Sequence, residues 1–421
     1  MGFRNQPFAC DSPAAAVALM IERLQSVPRN RATEQVALAR ACGRVLAETV
    51  CTDRMSPPVS VSAMDGYALV SADVEAAPAG DFSRDVSREV LIGTAPAPIR
   101  PREVVRIVTG AAIPLGCDAV IKRESVVEES SSSGCVKRIT ISQRAREALR
   151  GGENIRYAGE NAPAGAEVLR RGTRLTPAAL GALAAVGCAV PRVFARLRVS
   201  IITTGDELVA VDETPAPTQI RNSNGLAIES LLASHPWLDV VSPVHVRDDE
   251  SALARDLGDA HADSDAIVLT GGVSMGHRDC VRAAIESIAA IAPVEVLFHG
   301  LPQQPGKPML GAIAGGVPIF ALPGNPVSSL VTCTRIVRTV LAAHAGMERD
   351  AAIARVIVAN DDEQRIGLWW HRLVTVNDCG VARLVEGRGS GDMLSAGVSD
   401  GFVEIPPKEG AGGPFAFYPW S

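Results

Sequence analysis

Ser200-Ile201-Ile202-Thr203-Thr204-Gly205-Asp206-Glu207-Leu208, Asp265-Ala266-Ile267-Val268-Leu269-Thr270-Gly271-Gly272-Val273-Ser274 and Pro318-Ile319-Phe320-Ala321-Leu322-Pro323-Gly324-Asn325-Pro326 repeat one pattern. Each opens with a short apolar run that ends abruptly in turn residues, as a strand buried on both faces should. A segment with helical spacing follows each, so a mostly parallel sheet between layers of crossover helices is expected. Ligands of such sheets bind beyond the carboxyl ends of the strands, where these three turns gather. The site is therefore expected within the stretch from Ser200 to Pro326.

A chain of 421 residues exceeds one hydrophobic core, and about two to four domains are expected. Its composition, 47% hydrophobic and 21% charged, is that of a globular protein rather than a disordered chain. A net charge of -6 argues against a nucleic-acid partner, which leaves a basic footprint. It leaves room for a local cationic pocket. The nine cysteines are scattered without a C-x-x-C pair, which fits reduced thiols. No membrane association is expected: the longest apolar patch, Leu180 to Val190, is too short to span a bilayer. Asp11 and Pro13 fall where an export signal needs an apolar core, and Gln6 replaces the hydroxyl residue of a myristoylation signal. A cytoplasmic location is expected.

Taken in order, Ser12-Pro13 starts an amphipathic helix through Ala16, Leu19, Met20, Arg23 and Leu24. A second helix is predicted over Val36 to Val45. From Cys51 to Ser142 the texture is that of a small β domain, with strands at Val104–Val108, Ala119–Ile121 and Val136–Ile141 and a hairpin tip at Ser130–Gly134. A capped helix runs from Thr176-Pro177 through Val186, and the last helix of the α/β unit from Val327 to Ala345. Beyond Ile353 the chain is strand-like again, with a hairpin joining Trp369–Val376 to Val381–Val385.

Gly271-Gly272 and Gly324-Asn325-Pro326 each follow a buried strand and precede a helix. Backbone N–H groups there bind anions, and glycine permits close approach. A lone Gly-Gly is better read as a turn that needs positive φ; two such turns at corresponding strand ends favour phosphate. Asp206, Glu207, Asp248, Asp249 and Asp279 lie in neighbouring loops and form a carboxylate set of the kind that holds Mg²⁺. Asp248-Asp249-Glu250-Ser251 also reads as a helix cap. Lys307 on Pro305-Gly306-Lys307-Pro308 offers a cation, and Asp65 by itself reads as a turn residue.

These motifs carry a resemblance. Ser62-Ala63-Met64-Asp65-Gly66-Tyr67-Ala68, Val108-Thr109-Gly110-Ala111, Gly152-Glu153-Asn154-Ile155-Arg156, Thr204-Gly205-Asp206-Glu207-Leu208, Thr270-Gly271-Gly272-Val273-Ser274-Met275-Gly276, Pro305-Gly306-Lys307-Pro308 and Leu322-Pro323-Gly324-Asn325-Pro326-Val327-Ser328 stand in the order found in the MoeA family. These are the molybdopterin molybdenumtransferases, related to the gephyrin E domain. The resemblance implies a multidomain α/β protein. Its parts are a central MogA/MoaB-like three-layer α/β domain (197–346), elongated (32–51 with 165–196) and small β (52–164) N-terminal domains, and a C-terminal β-barrel (347–421). Residues 1–31 would pack on the α/β domain. It implies a homodimer with the active site across the interface, and a MogA-like adenylyltransferase as a further partner. The implied reaction inserts molybdenum from molybdate into molybdopterin adenylate and releases AMP, with Mg²⁺ assisting. Asp65, Thr109, Glu207 and Asp279 would be catalytic, Glu207 and Asp279 also holding the metal. Gly271, Gly272, Ser274, Gly324, Asn325, Pro326, Arg156 and Asp248 would bind the molybdopterin substrate, and Lys307, Ser328, Arg372 and Ser390 molybdate.

The sequence departs from the family pattern in three places. Asn161 stands where an active-site Asp is typical, with Tyr157 and Ala158 replacing two cations. Gln304 replaces a lysine ahead of Pro-Gly-Lys-Pro, and His277 an acidic residue after Gly276. A neutral Asn is neither a base nor a full-charge metal ligand. Two alternatives therefore stand beside the enzyme: a non-catalytic molybdopterin-binding or scaffold paralogue, and a MogA-like molybdopterin adenylyltransferase. A preference between molybdate and tungstate is not legible.

Overall fold

The structure, a computed structural model, describes residues 8–27, 31–132, 134–273, 280–348, 352–360, 362–410 and 412–420. The chain forms two compact units, one of Met1–Glu48, Arg170–Gly181 and Ala189–Ser421, the other of Thr49–Leu169 and Ala182–Cys188. In the first, helix α1 (Pro13–Ser26) starts at Ser12, whose hydroxyl accepts from the Ala15 N–H at 3.1 Å. Its Ala16, Val17, Met20 and Leu24 enter the core on one face of the large sheet.

The helix predicted over Val36 to Val45 does not form. Only one 3₁₀ turn, Leu38–Arg40, is present. Beyond it the Gly43 N–H donates to Leu175 O at 2.7 Å, the Leu46 N–H to Thr173 O at 2.9 Å, and Val45 bridges Arg174. Pairing with this neighbouring segment satisfies the groups that a helix would satisfy internally, and outweighs a weak local propensity.

The second unit is built on one sheet of β1 (Gly66–Leu69), β2 (Phe82–Val90), β3 (Val104–Ile107), β4 (Ala119–Lys122), β5 (Val126–Ser130) and β6 (Val136–Ile141), in the order β4-β1-β3-β2-β6-β5. Tyr67, Leu69, Val104, Ile121, Ile139 and Ile141 lie in its core. The β5–β6 hairpin closes at the serine-rich tip. Helix α2 (Pro177–Ala185) follows in the chain, with the Thr176 hydroxyl accepting from the Ala179 N–H at 3.2 Å.

The large sheet of the first unit uses β7 (Leu197–Thr204), β10 (Leu238–Val240), β11 (Val244–Val246), β12 (Ala266–Thr270), β13 (Val294–His299), β15 (Leu310–Ala314) and β16 (Val317–Leu322). A ribbon of β8 (Leu208–Val209) and β9 (Ile220–Arg221) stands off it, and the two-residue β14 is Gln303–Gln304. The order is β10-β7-β12-β16-β15-β13, with β11 also on β7. From β10 to β16 the strands are parallel; β15 is antiparallel to both β16 and β13. The reversal comes from a two-residue hairpin, Gly315-Gly316, with φ of 54° and 88°. Successive residues of each central strand enter opposite cores. Val199, Ile201, Ala266, Val268, Phe320 and Leu322 meet α1, α3 (Ser223–Ala233) and the last helix, while Ile202, Ile267, Leu269, Ile319 and Ala321 meet α4 (Glu250–Asp263) and α5 (Cys280–Ser287). Burial on both faces is why these runs are continuously apolar. The first strand–loop–helix repeat is looser than its sequence suggests, because the β8–β9 ribbon precedes α3.

The last helix has three parts: α6 (Pro326–Thr332), a π segment (Cys333–Val337) and α7 (Arg338–His344). Next comes a closed five-stranded barrel of β17 (Arg355–Val358), β18 (Trp369–Val376), β19 (Val381–Leu384), β20 (Gly401–Ile405) and β21 (Phe415–Pro419), ringed β18-β19-β17-β21-β20-β18. Phe402, Tyr418 and Ala396 pack on Val327 and Val331 of α6. Among the described residues no helix is long and apolar enough to cross a membrane. The chain is a multidomain α/β protein.

Candidate active site

The central strands end level: Thr203 of β7 is the register partner of Thr270 in β12, and Thr270 of Leu322 in β16. Gly271 and Gly272 follow, with φ of 101° and 65°. A Cβ on Gly271 would lie 2.1 Å from Thr204 O, and one on Gly272 2.8 Å from Val281 Cγ2. Both need glycine for backbone conformation and for close packing. Gly271 is buried, its N–H donating to Leu322 O at 3.3 Å, while Gly272 is half-buried.

One residue of this crevice escaped sequence reasoning. Asn224, in the first turn of α3 and 9% exposed, donates through Nδ2 to Thr270 Oγ1 at 3.0 Å and to Gly324 O at 2.8 Å. A single amide thus ties the Gly271-Gly272 turn to the Gly324 turn. Asn222, two residues earlier, is the cap, accepting from the Gly225 N–H at 3.1 Å. The available signal was a second Asn on the buried side of an amphipathic helix.

The carboxylates divide by role. Asp249 caps α4, accepting from the Ala252 N–H at 2.7 Å. Asp248 instead accepts from Thr204 Oγ1 at 2.6 Å, at the end of β7, and its N–H approaches Asp206 Oδ1 at 3.4 Å. Glu207 is exposed, and its carboxylate folds back over Gly205, where a Cβ would lie 2.8 Å from Glu207 Oε2. Beside Asp206 opens a cleft of about 500 Å³ lined by Leu208, Val209, Asn222, His245 and Arg247. Asp279 and Ser274 lie outside the described residues. Among the described residues no three His, Cys, Asp or Glu side chains gather as a metal cage. Exposed carboxylates at a strand end still fit Mg²⁺, which takes one or two carboxylates and keeps several waters.

Three of the expected residues meet at the start of α6. The Asn325 amide donates to Ser390 Oγ at 2.9 Å, the Ser390 carbonyl accepts from the Val327 N–H at 3.0 Å, and Ser328 is buried in the first turn. Lys307 is exposed, its Nζ 5.6 Å from the Phe8 ring centre. Arg372 is already engaged: Asp362 takes both arms of its guanidinium at 2.7 and 2.5 Å, and it stacks over Trp370 at 4.2 Å. The Arg372 hydrogen bond is the main reason the Asp362 carboxyl sits below its ordinary range. Gln304 pairs with Trp370 in register, two residues from Arg372.

In the second unit, Asp65 Oδ1 accepts from both the N–H and the hydroxyl of Thr109, at 2.7 and 2.8 Å. These two donors, the N–H first, hold the exposed carboxyl below its usual range. Arg156 donates to Asn161 Oδ1 and lies 3.7 Å from Glu160. Asn161 therefore still supplies the oxygen that an Asp would offer that arginine.

Residues 12–187 match the MoeA N-terminal region (domain I and II), and residues 200–343 a probable molybdopterin binding domain. A molybdopterin molybdenumtransferase of Haemophilus influenzae is 32% identical over 327 residues, 77% of this chain and 76% of that one. The chain belongs to the molybdopterin molybdenumtransferase family. A further family member, from Synechococcus elongatus, is 36% identical over 341 residues, 79% of this chain and 80% of its own length. The crystal structure of the molybdopterin biosynthesis moeA protein of Pyrococcus horikoshii OT3 matches with a TM-score of 0.77 over 97% of this chain and 98% of that one, at 26% identity. The match to a probable molybdopterin binding domain includes these strand ends.

Proposed function

We propose that the chain inserts molybdenum from molybdate into adenylylated molybdopterin and releases AMP. The observation that carries this reading is the crevice itself: two glycine turns tied by Asn224, with Asp248 fixed on Thr204 beside them. Backbone N–H groups of the Gly271-Gly272 turn bind the phosphates. Glu207 and Asp279 would hold Mg²⁺ through oxygen, with Asp248 beside the molybdopterin substrate, and the ion would supply charge to offset that of the pyrophosphate. Asp65, kept ionised by Thr109, is the carboxylate that accepts a proton as water cleaves the phosphoanhydride to AMP. Molybdate, a tetrahedral dianion that only accepts hydrogen bonds, takes donors from Lys307, Ser328, Arg372 and Ser390.

The working form is a cytoplasmic homodimer whose partner subunit presents Asp65, Thr109 and Arg156 to this crevice, and a MogA-like adenylyltransferase supplies the adenylate. The domain division is 1–31, 32–51 with 165–196, 52–164, 197–346 and 347–421. The scaffold alternative rested on Asn161 and Gln304. It weakens because Asn161 keeps its contact with Arg156. A stand-alone adenylyltransferase leaves the barrel without a role.

Purified protein supplied with Mg²⁺, molybdate and adenylylated molybdopterin is expected to release AMP in step with molybdenum insertion. No AMP release under these conditions would end the enzymatic reading.

A further inference from the structure

The π segment Cys333–Val337 delivers one buried cation to the barrel. Arg335, 7% exposed, donates through Nε to Glu404 Oε2 at 2.6 Å and through Nη2 to Oε1 at 3.2 Å. His371, 3% exposed, approaches the same Oε2 through Nε2 at 3.1 Å. A carboxylate only accepts, so Nε2 carries the hydrogen; Nδ1 is buried without a partner among the described residues. His371 and Glu404 are cross-strand partners of β18 and β20. The cluster is walled by aromatic rings: Phe402 lies edge-on to His371 at 5.4 Å, and the Arg335 guanidinium sits 5.1 Å from the Tyr418 ring centre. Burial alone opposes ionisation of Glu404, yet the hydrogen bonds and charges of His371 and Arg335 outweigh it and hold the carboxyl down at about 2.

The position of this cluster carries the argument. Residues alternate across a strand, so while His371 and its cross-strand partner Glu404 face the last helix, Arg372 beside it lies on the opposite face, with Asp362 and Trp370. Arg335 belongs to the helix that begins with Asn325, Pro326 and Ser328, and the barrel loop carrying Ser390 docks on that helix start. An apolar contact is non-directional and tolerates sliding. A bidentate arginine–carboxylate fork fixes both distance and angle. We propose that Arg335, Glu404 and His371 are positioning residues that lock the barrel to the last helix, so that Arg372 and Ser390 converge with Ser328 on the oxyanion. This inference rests on the assignment of those residues to molybdate.

The test uses full-length protein and two readouts. One is the molybdate and adenylylated molybdopterin dependence of AMP release. The other is hydrogen exchange of the peptide containing the Val327 amide, which donates to Ser390 O. In Glu404→Gln the KM for molybdate should rise about tenfold, with the KM for adenylylated molybdopterin within about twofold of wild type, and the Val327 peptide should exchange faster. If that variant fails to fold, Arg335→Lys keeps the charge, loses the fork and should give the same pattern. Val356→Ala, which opens a cavity in the barrel core, is the control and should lower the melting temperature without raising the KM for molybdate. An unchanged KM and unchanged exchange in folded Glu404→Gln would overturn the proposal, as would an equal KM rise in Val356→Ala. Should the wild type release no AMP, the functional reading falls, and exchange at Val327 alone decides whether the cluster positions Ser390.

Discussion

Asp65 and Glu404 are both carboxylates held below their ordinary range by hydrogen bonds from neighbouring donors, yet they do opposite work. Asp65 is exposed, and its donors are a backbone N–H and a hydroxyl of one neighbour, Thr109. Water screens it, so its ionised state adds little to stability and stays available to a ligand. Glu404 is buried, and its donors are a guanidinium and an imidazole drawn from two separate elements. No water competes there, and removing one partner strands a charge. The same direction of pKa shift thus accompanies an exposed carboxylate proposed to react in one place and a buried carboxylate proposed to lock two elements in the other.

The largest effect expected from this contrast is on the lock. Arg335→Ala leaves Glu404 buried with His371 as its remaining partner and should cost about 3–5 kcal/mol in urea unfolding. A loss no larger than that of an exposed substitution would erase the distinction. The pH dependence comes next. The folded pKa of Glu404 is depressed from 4.5 to about 2. Its contribution is therefore complete above about pH 4.5 and is lost as pH falls toward 2, up to about 3 kcal/mol by linkage. Unfolding followed from pH 6 to pH 2 should show this acid limb in wild type and not in Glu404→Gln. Asp65→Asn should do the reverse: an unchanged unfolding midpoint and AMP release lower by about 100-fold or more. A stability loss with intact turnover would return Asp65 to the role of a turn residue. The smallest effect separates two adjacent aspartates. Asp249→Ala removes a helix cap and should cost about 1 kcal/mol while turnover persists, whereas Asp248→Asn should abolish turnover with little change in stability.

Legibility followed chain distance. Gly271-Gly272, Gly324-Asn325-Pro326 and the Ser12 and Thr176 caps were readable because their roles depend on residues within one turn. Asp248-Asp249 was readable only as an ambiguity. Capping is local, but the Thr204 hydroxyl that claims Asp248 lies 44 residues away. Val36 to Val45 failed because backbone pairing with residues 173–175 overrode helical composition. The resemblance placed Arg372 at molybdate, and the structure pairs its guanidinium with Asp362.

By itself the sequence determined the alternation of buried strands and helices, the glycine turns that end the strands, and the family to which the ordered motifs belong. Each is a property of short windows, set by sterics, capping and hydrophobic period. Only the tertiary structure decided that Asn224 ties two turns, that Asp362 occupies Arg372, and that Arg335, Glu404 and His371 form one buried cluster. Arg335 and Glu404 are 69 residues apart. Their pairing exists only once the barrel closes against the π segment and excludes water, because a charge pair owes its strength to an environment that the folded chain alone creates.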